Sequence, residues 1–287
     1  MILLTGAAGK TGSTILKHLS NKGAEVRCLV RNEKQAEKVI SLGCSEAIIG
    51  DLTDRATLAK AIIGIDRIYF IAPNVSPDEL SIGKELIHLA QQHQVSHFVY
   101  HSVLHPQIEA MPHHWQKMRM EEALFISGLD FTILQPCAYM QNILGGWQKI
   151  LTGQFSVPYH LGSRISIVDL ENIASVAAKV LTEKDHMNAI YELAGPEPLT
   201  QKEIANQLSL AINKPVQAFE QSLTEWETAA NSSGMDETQR KVLIKMFEYY
   251  DKFGFVGNSS ILEFLLREKP TTFKQFLARI SNSGDER

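Results

Sequence analysis

An apolar, strand-like run at Ile2 to Leu4 gives way to Gly6-Ala7-Ala8-Gly9-Lys10-Thr11-Gly12, and a helix-spaced apolar set, Ile15, Leu16 and Leu19, follows at once. A glycine-rich turn between a first strand and a first helix restricts the fold more than any other stretch of this chain. Gly6 allows a tight turn, Gly9 lets the backbone approach a phosphate, and Gly12 lets the helix pack closely. The helix start supplies free N–H groups and a positive dipole end, which suit a pyrophosphate. The spacing is GxxGxxG, whereas the usual dinucleotide fingerprint is GxGxxG, so the strand-turn-helix setting carries the weight. The plain alternative is a glycine turn that holds no ligand. Gly9-Lys10-Thr11 also matches the end of a nucleoside-triphosphate loop, but that motif needs a glycine where this chain has Leu4, and it is discarded.

Buried-strand patterns recur at Glu25 to Val30, Ala47 to Ile49, Arg67 to Ile71, Ser96 to Tyr100 and Phe131 to Leu134, with helix-spaced segments between them. Parallel strands need crossovers, and crossovers are right-handed almost without exception. The order therefore predicts an α/β fold, a doubly wound parallel Rossmann sheet with its ligand crevice at the carboxyl ends of the strands. Beyond Gln135 the alternation weakens. A helical stretch is expected from Ala138 to Leu151, then Val168-Asp169, a helix through Ile173 and Val180, and a strand at Ala189 to Leu193 rejoining the sheet. Helices are expected at Thr200 to Ile212, Leu223 to Ala230, Glu237 to Asp251 and around Phe273, Phe276 and Leu277. The expected division is a nucleotide-binding domain at 1–135 and a smaller, mostly helical substrate or partner lobe at 136–287 that covers the crevice, with a loose tail from Ser281.

The chain's 287 residues carry a net charge of -4 with no long run of like charges, which argues against direct contact with nucleic acid or an anionic membrane. No apolar run approaches the length needed to span a bilayer, and no signal-type segment is expected. The three cysteines, Cys28, Cys44 and Cys137, lie far apart and have no metal-type spacing, so a reducing, cytoplasmic setting is expected.

Arg31 follows the second strand, where a carboxylate would accept from the ribose 2′-hydroxyl of NAD. A guanidinium there suits the 2′-phosphate of NADP instead, so NADP(H) is preferred and NAD(H) is kept as the alternative. The bland reading is a solvated arginine in a polar loop. Asp51 and Leu52, after the third strand, are placed to approach adenine, and Asp51 equally suits a helix cap. Tyr100-His101-Ser102 ends the fifth strand, and His113, Lys117 and Glu121 share one face of the next helix. Lys117, oriented by Glu121, is the candidate ribose ligand or acid; the alternative is a surface ion pair worth about 0.3 to 0.5 kcal/mol. Ser102 and His113 complete the candidate reaction centre. A metal is not expected, since His101, His105, His113 and His114 are joined by no thiolate.

Several segments in order, LLTGAAGKTG, LVRN, GDLTD, HHWQKMRMEEAL, SGLDFTILQPCAYMQN, VDLENIASVAAKVL and ELAGPEPLTQKEIANQL, resemble the NmrA-like branch of the atypical short-chain dehydrogenase/reductase family. The resemblance implies dinucleotide binding by Gly6, Gly9, Gly12 and Arg31, with Lys10 and Thr11 in the same turn. It places Ala72, Pro73 and Lys117 near the nicotinamide, and Pro136, Tyr139 and Asn142 beside the substrate opening, although Tyr139 and Asn142 equally suit packing. The chain departs from the wider family's norm of a catalytic Tyr four residues before Lys, because that position is His113. Members of this branch divide between NADPH-dependent reductases of quinones and dyes and non-catalytic sensors that bind dinucleotide and regulate a partner. The expectation is an NADPH-dependent reductase of a small quinone- or carbonyl-type acceptor, covered by Trp115, Tyr139, Trp147 and Phe155. The alternative is a redox-sensing regulator that binds a protein partner, and a homodimer is compatible with either.

Overall fold

The computed structural model describes residues 1–282. In chain order the first elements are β1 (Ile2–Leu4), α1 (Lys10–Asn21), β2 (Val26–Val30), α2 (Glu33–Ser41), β3 (Glu46–Ile49) and α3 (Arg55–Ala61). They are followed by β4 (Arg67–Phe70), α4 (Glu79–Gln92), β5 (His97–His101), α5 (Pro112–Phe125) and β6 (Phe131–Pro136). Then come β7 (Ala138–Tyr139), a 3-10 stretch (Met140–Gly146), α6 (Trp147–Leu151), β8 (Gln154–Val157), β9 (Ile165–Val168), α7 (Leu170–Thr182) and β10 (Ala189–Leu193). The last are β11 (Pro198–Leu199), α8 (Gln201–Ala211), β12 (Gln217–Glu220), α9 (Leu223–Ser232), α10 (Glu237–Phe253), α11 (Ser260–Leu266) and α12 (Phe273–Asn282).

The main sheet has the order β10-β6-β5-β4-β1-β2-β3, and β1 to β6 pair in parallel with one another. This is the doubly wound α/β arrangement, and the strand order reverses between β1 and β4. The strands are apolar because both faces are covered. Leu3, Phe70, Phe98, Tyr100 and Ile133 are all nearly or wholly inaccessible, and burying each large apolar side chain contributes roughly 1.5 to 3 kcal/mol. The helices start where short polar side chains cap them: Asn32 accepts from the Gln35 amide and Asp54 from the amides of Ala56 and Thr57. Thr200 with Glu203, and Ser222 with Glu225, form full capping boxes on α8 and α9.

The chain divides into two compact units. The first comprises Met1–Gln107, His114–Pro136 and Leu170–Tyr191, and the second Ile108–His113, Cys137–Asp169 and the chain from Glu192 onward. The second unit contains a three-stranded sheet, β11-β9-β7, and the parallel pair β12 and β8.

Three expectations need correction. The stretch from Ala138 to Leu151 is not one helix. Ala138 and Tyr139 pair in parallel with Ile167 and Val168, and an α-helix begins only at Trp147. Gly145 and Gly146 interrupt the helical pattern at a cost of about 1 kcal/mol each, and the residues before them wind as 3-10. Asp51 caps no helix, because Asp54 holds that position. The tail is helical through Asn282, so Ser281 is not loose, and residues 283–287 lie outside the described residues. Also absent from the expectations are β8, β11, β12 and α11, short elements with little periodicity of their own.

Candidate functional site

The glycine turn joins β1 to α1 beside the point where the strand order reverses. Gly6 has φ +62, and the amide of Gly9 donates to its carbonyl at 3.0 Å. A Cβ on Gly12 would lie 2.2 Å from the Gly6 carbonyl oxygen and 2.7 Å from Ala7 Cα, so glycine is required for the helix to start this close to the turn. Thr5, buried beneath it, ties the ends of β1 and β4 together. Its hydroxyl donates to the Ile71 carbonyl and accepts from the Ile71 amide, each at 2.8 Å. The outcome is a tight backbone turn at the N-terminus of a 12-residue helix, and that turn fits the pyrophosphate of a dinucleotide. Lys10 and Thr11 open that helix.

Arg31 lies exposed just past β2, where its backbone amide donates to Gln35 Oε1 at 2.9 Å. Lys38 on α2 reaches over the turn to the Ala8 carbonyl at 2.9 Å. Asp51, past the neighbouring β3, accepts from the Thr53 hydroxyl at 2.6 Å and the Thr53 amide at 2.7 Å. Those bonds, helped by the charge of Arg31, hold its carboxyl below the ordinary carboxylate range. Leu52 is half-buried and stands in the wall of a cavity of about 440 Å3 between α3 and α4. Ala72 is half-buried and Pro73 exposed after β4, and Pro136 is buried at the end of β6, where its carbonyl accepts from the Leu104 amide at 2.9 Å.

Polar groups gather at the end of β5. Lys117 Nζ lies 2.6 Å from Glu79 Oε1 and donates to the His101 carbonyl at 3.2 Å, with 18% of its side chain exposed. The Tyr100 hydroxyl donates to the same Glu79 oxygen at 2.6 Å, and the ammonium lies 5.3 Å from the centre of the Tyr100 ring. Burial, with the Glu79 charge added, raises the Tyr100 phenol well above its usual range. The partner of Lys117 is therefore Glu79 and not Glu121, a correction to the expectation from helix spacing. Glu121 is occupied elsewhere: it accepts from the Ser102 hydroxyl and from Gln135 Nε2 at 2.9 and 3.0 Å. Burial raises its carboxyl above the ordinary value despite those bonds. The surface ion pair weighed against a functional Lys117 is also set aside, since only 4% of the Glu79 side chain is exposed.

His101 Nδ1 lies 2.7 Å from the Tyr69 hydroxyl, and burial pushes the imidazole down to about 3, so it is neutral. His114 Nδ1 faces the His105 carbonyl at 3.2 Å. Among the described residues no three His, Cys, Asp or Glu side chains are grouped to hold a metal. In the second unit, His113 and Tyr139 are half-buried, Asn142 is exposed on the 3-10 stretch, and Trp147 and Phe155 are buried as packing. Trp115, in the first unit, is partly exposed.

The sequence pattern missed Thr5, Glu79 and Gln135. Glu79 had one local signal, an acidic residue at the start of a helix, but its partner lies 38 residues away.

A profile of the NmrA-like family matches residues 1–277. The chain belongs to the NmrA-like family. Within it, this NmrA-like chain is 30% identical over 250 residues to an NAD(P)H azoreductase of Xenophilus azovorans, covering 86% of each protein. Its fold matches the crystal structure of an NADPH-dependent quinone oxidoreductase of Escherichia coli in complex with NADPH, with a TM-score of 0.85 and 24% identity over 98% of this chain and 99% of that one. It matches equally a Citrobacter triphenylmethane reductase complexed with NADP(H), with a TM-score of 0.86 and 23% identity over 98% of this chain and 100% of that one. At these identities the structural likeness is one of fold. No helix among the described residues is long and apolar enough to cross a membrane.

Proposed function

We propose that this NmrA-like protein is an NADPH-dependent reductase of a small, flat acceptor of the quinone, azo-dye or carbonyl class. The observation that carries the reading is the ammonium of Lys117, held at the carboxyl end of β5 on the sheet edge where the glycine cradle opens. NADPH would supply a hydride when bound, and the relatives' azoreductase and quinone reductase activities point to the acceptor class.

The chain's own residues divide the remaining work. Gly6, Gly9 and Gly12, with the first turn of α1 at Lys10 and Thr11, hold the pyrophosphate. Arg31 would take the 2′-phosphate, Asp51 and Leu52 would flank the adenine, and Ala72, Pro73 and Pro136 would border the nicotinamide when the cofactor is bound. Lys117 donates to the ribose and stabilises negative charge as it develops on the acceptor. The Ser102 hydroxyl proton is directed at Glu121, which leaves the Ser102 oxygen to act as a hydrogen-bond acceptor. From the sequence, Tyr139 and Asn142 are assigned to the acceptor and His113 to the proton that completes reduction.

The retained cradle, combined with a hydroxyl committed to Glu121 and no phenol four residues before Lys117, favours one second reading, a dinucleotide sensor that acts through a protein partner. Lys117→Ala separates the two. A reductase loses about 100-fold or more in kcat with bound cofactor. A sensor loses cofactor affinity and shows no turnover to lose.

A further inference from the structure

Glu79 is a buried carboxylate that the glycine motif does not account for. It is the first residue of the 14-residue α4, where the positive end of the helix dipole favours its charge. The helix can come close enough to α5 because of Gly83. A Cβ at that position would meet Met120 Sδ at 2.1 Å and Phe70 Cε1 at 3.2 Å. Met120 is one turn beyond Lys117 on α5, so the glycine that brings the helices together also sets the distance of the ion pair. Glu79 Oε1 then accepts from two donors at once, the Lys117 ammonium and the Tyr100 hydroxyl, both at 2.6 Å.

An ammonium has three donors. Glu79 takes one and the His101 carbonyl a second, which leaves one N–H for a ligand. The geometry points to Glu79 as the positioning residue for Lys117: braced by Tyr100, it pins the ammonium against the end of β5 so that its remaining donor faces the cofactor ribose and the acceptor. This assignment rests on the reductase reading for its effect on catalysis. The pairing itself is a property of the free protein.

Removing the carboxylate charge leaves a partly desolvated ammonium beside no counterion in contact, which lowers the pH at which Lys117 loses its proton. The groups that face Lys117 are Glu79 from α4, Tyr100 and His101 from β5, and Glu121 from its own helix. Tyr100 and His101 stay neutral through the working range, and Glu121 is engaged by Ser102 and Gln135. Glu79 is thus the group whose loss the lysine registers.

The test is an NMR titration of protein labelled with 13C at lysine Cε, with the Lys117 signal assigned by its absence in Lys117→Met. In Glu79→Gln the Lys117 titration is expected to move down by about one pH unit or more, and Glu79→Asp should recover part of the shift. The alkaline limb of the kcat profile should move with it, with kcat about 10-fold lower in Glu79→Gln and partly rescued in Glu79→Asp. A folded Glu79→Gln whose Lys117 titration is unchanged overturns the assignment. If Glu79→Gln does not fold, Glu79→Asp decides: it keeps the charge but draws it back from the ammonium, and the Lys117 titration should move in the same direction by a smaller step, no movement being the contrary result. The titration needs neither cofactor nor acceptor. A protein that reduces nothing would end the reductase reading and leave the Glu79 assignment to stand or fall on the NMR result.

Discussion

Gly12 packs so closely against the turn it follows that a single methyl group would collide with the Gly6 carbonyl. Because the colliding atoms are backbone, they cannot swing aside, and Gly12→Ala should weaken NADPH binding by about 10-fold or more, while far-UV circular dichroism stays close to wild type. Calorimetric titration checks this, and an unchanged Kd would remove the turn from the cofactor site. Arg31→Ala should lower NADPH affinity by about 10- to 100-fold, the worth of one charge-assisted contact, and leave NADH within about 3-fold. An equal loss for both cofactors would show that Arg31 does not meet the 2′-phosphate. The glycine turn was legible in the sequence because its signal is local, glycines at fixed offsets in a strand-helix junction. Glu79 was not legible. The i,i+4 spacing along α5 offered Lys117 the nearby Glu121, but tertiary packing of α4 against α5 supplied a different carboxylate, and Glu121 turned to Ser102 and Gln135.

Strand β5 carries two buried imidazoles, and they set the acid behaviour of the sheet. Burial holds His97 down to about 4 and His101 to about 3, against an ordinary value of 6.5. The unfolded chain therefore takes up protons below pH 6.5 that the folded chain refuses until much lower. Stability from these groups is full above that value and falls as the pH drops, with a slope of up to about 1.4 kcal/mol per pH unit for each. Glu121 acts in the opposite sense above pH 4.5, since burial raises its carboxyl and the folded chain holds that proton more tightly. Urea midpoints between pH 7.5 and 4.5 should decline, and His97→Gln should flatten the decline; a midpoint independent of pH would contradict the account. In the second unit, Asp169 is wholly buried at the end of β9, bonded to Gln141 Nε2 at 2.7 Å and paired with Arg279 of α12 at 2.7 Å. Arg279→Ala should cost about 2 kcal/mol in thermal unfolding, because it leaves a buried carboxylate short of its counterion. Elements with strong periodicity, such as α7, α8 and α10, were legible in the sequence. β7 was not, because two residues carry no period and their strand character comes from pairing with β9.

The repeating β-α rhythm in the first half of the chain, together with right-handed crossovers, is why the doubly wound class could be anticipated from the sequence, while the strand order β10-β6-β5-β4-β1-β2-β3 comes from the structure. The second half offered less, since its short strands find partners far along the chain, β8 with β12 and β9 with β11. What the molecule is for depends on joining a cofactor cradle to a reaction centre, and one measurement addresses that directly. Purified protein is titrated with NADPH and with NADH by nicotinamide fluorescence, then mixed in stopped flow with a panel of quinones, azo dyes and triphenylmethane dyes. NADPH is expected to bind at least about 10-fold more tightly than NADH and to be oxidised at a rate that depends on the acceptor. Tight NADPH binding with no oxidation by any acceptor would contradict it and favour the sensor.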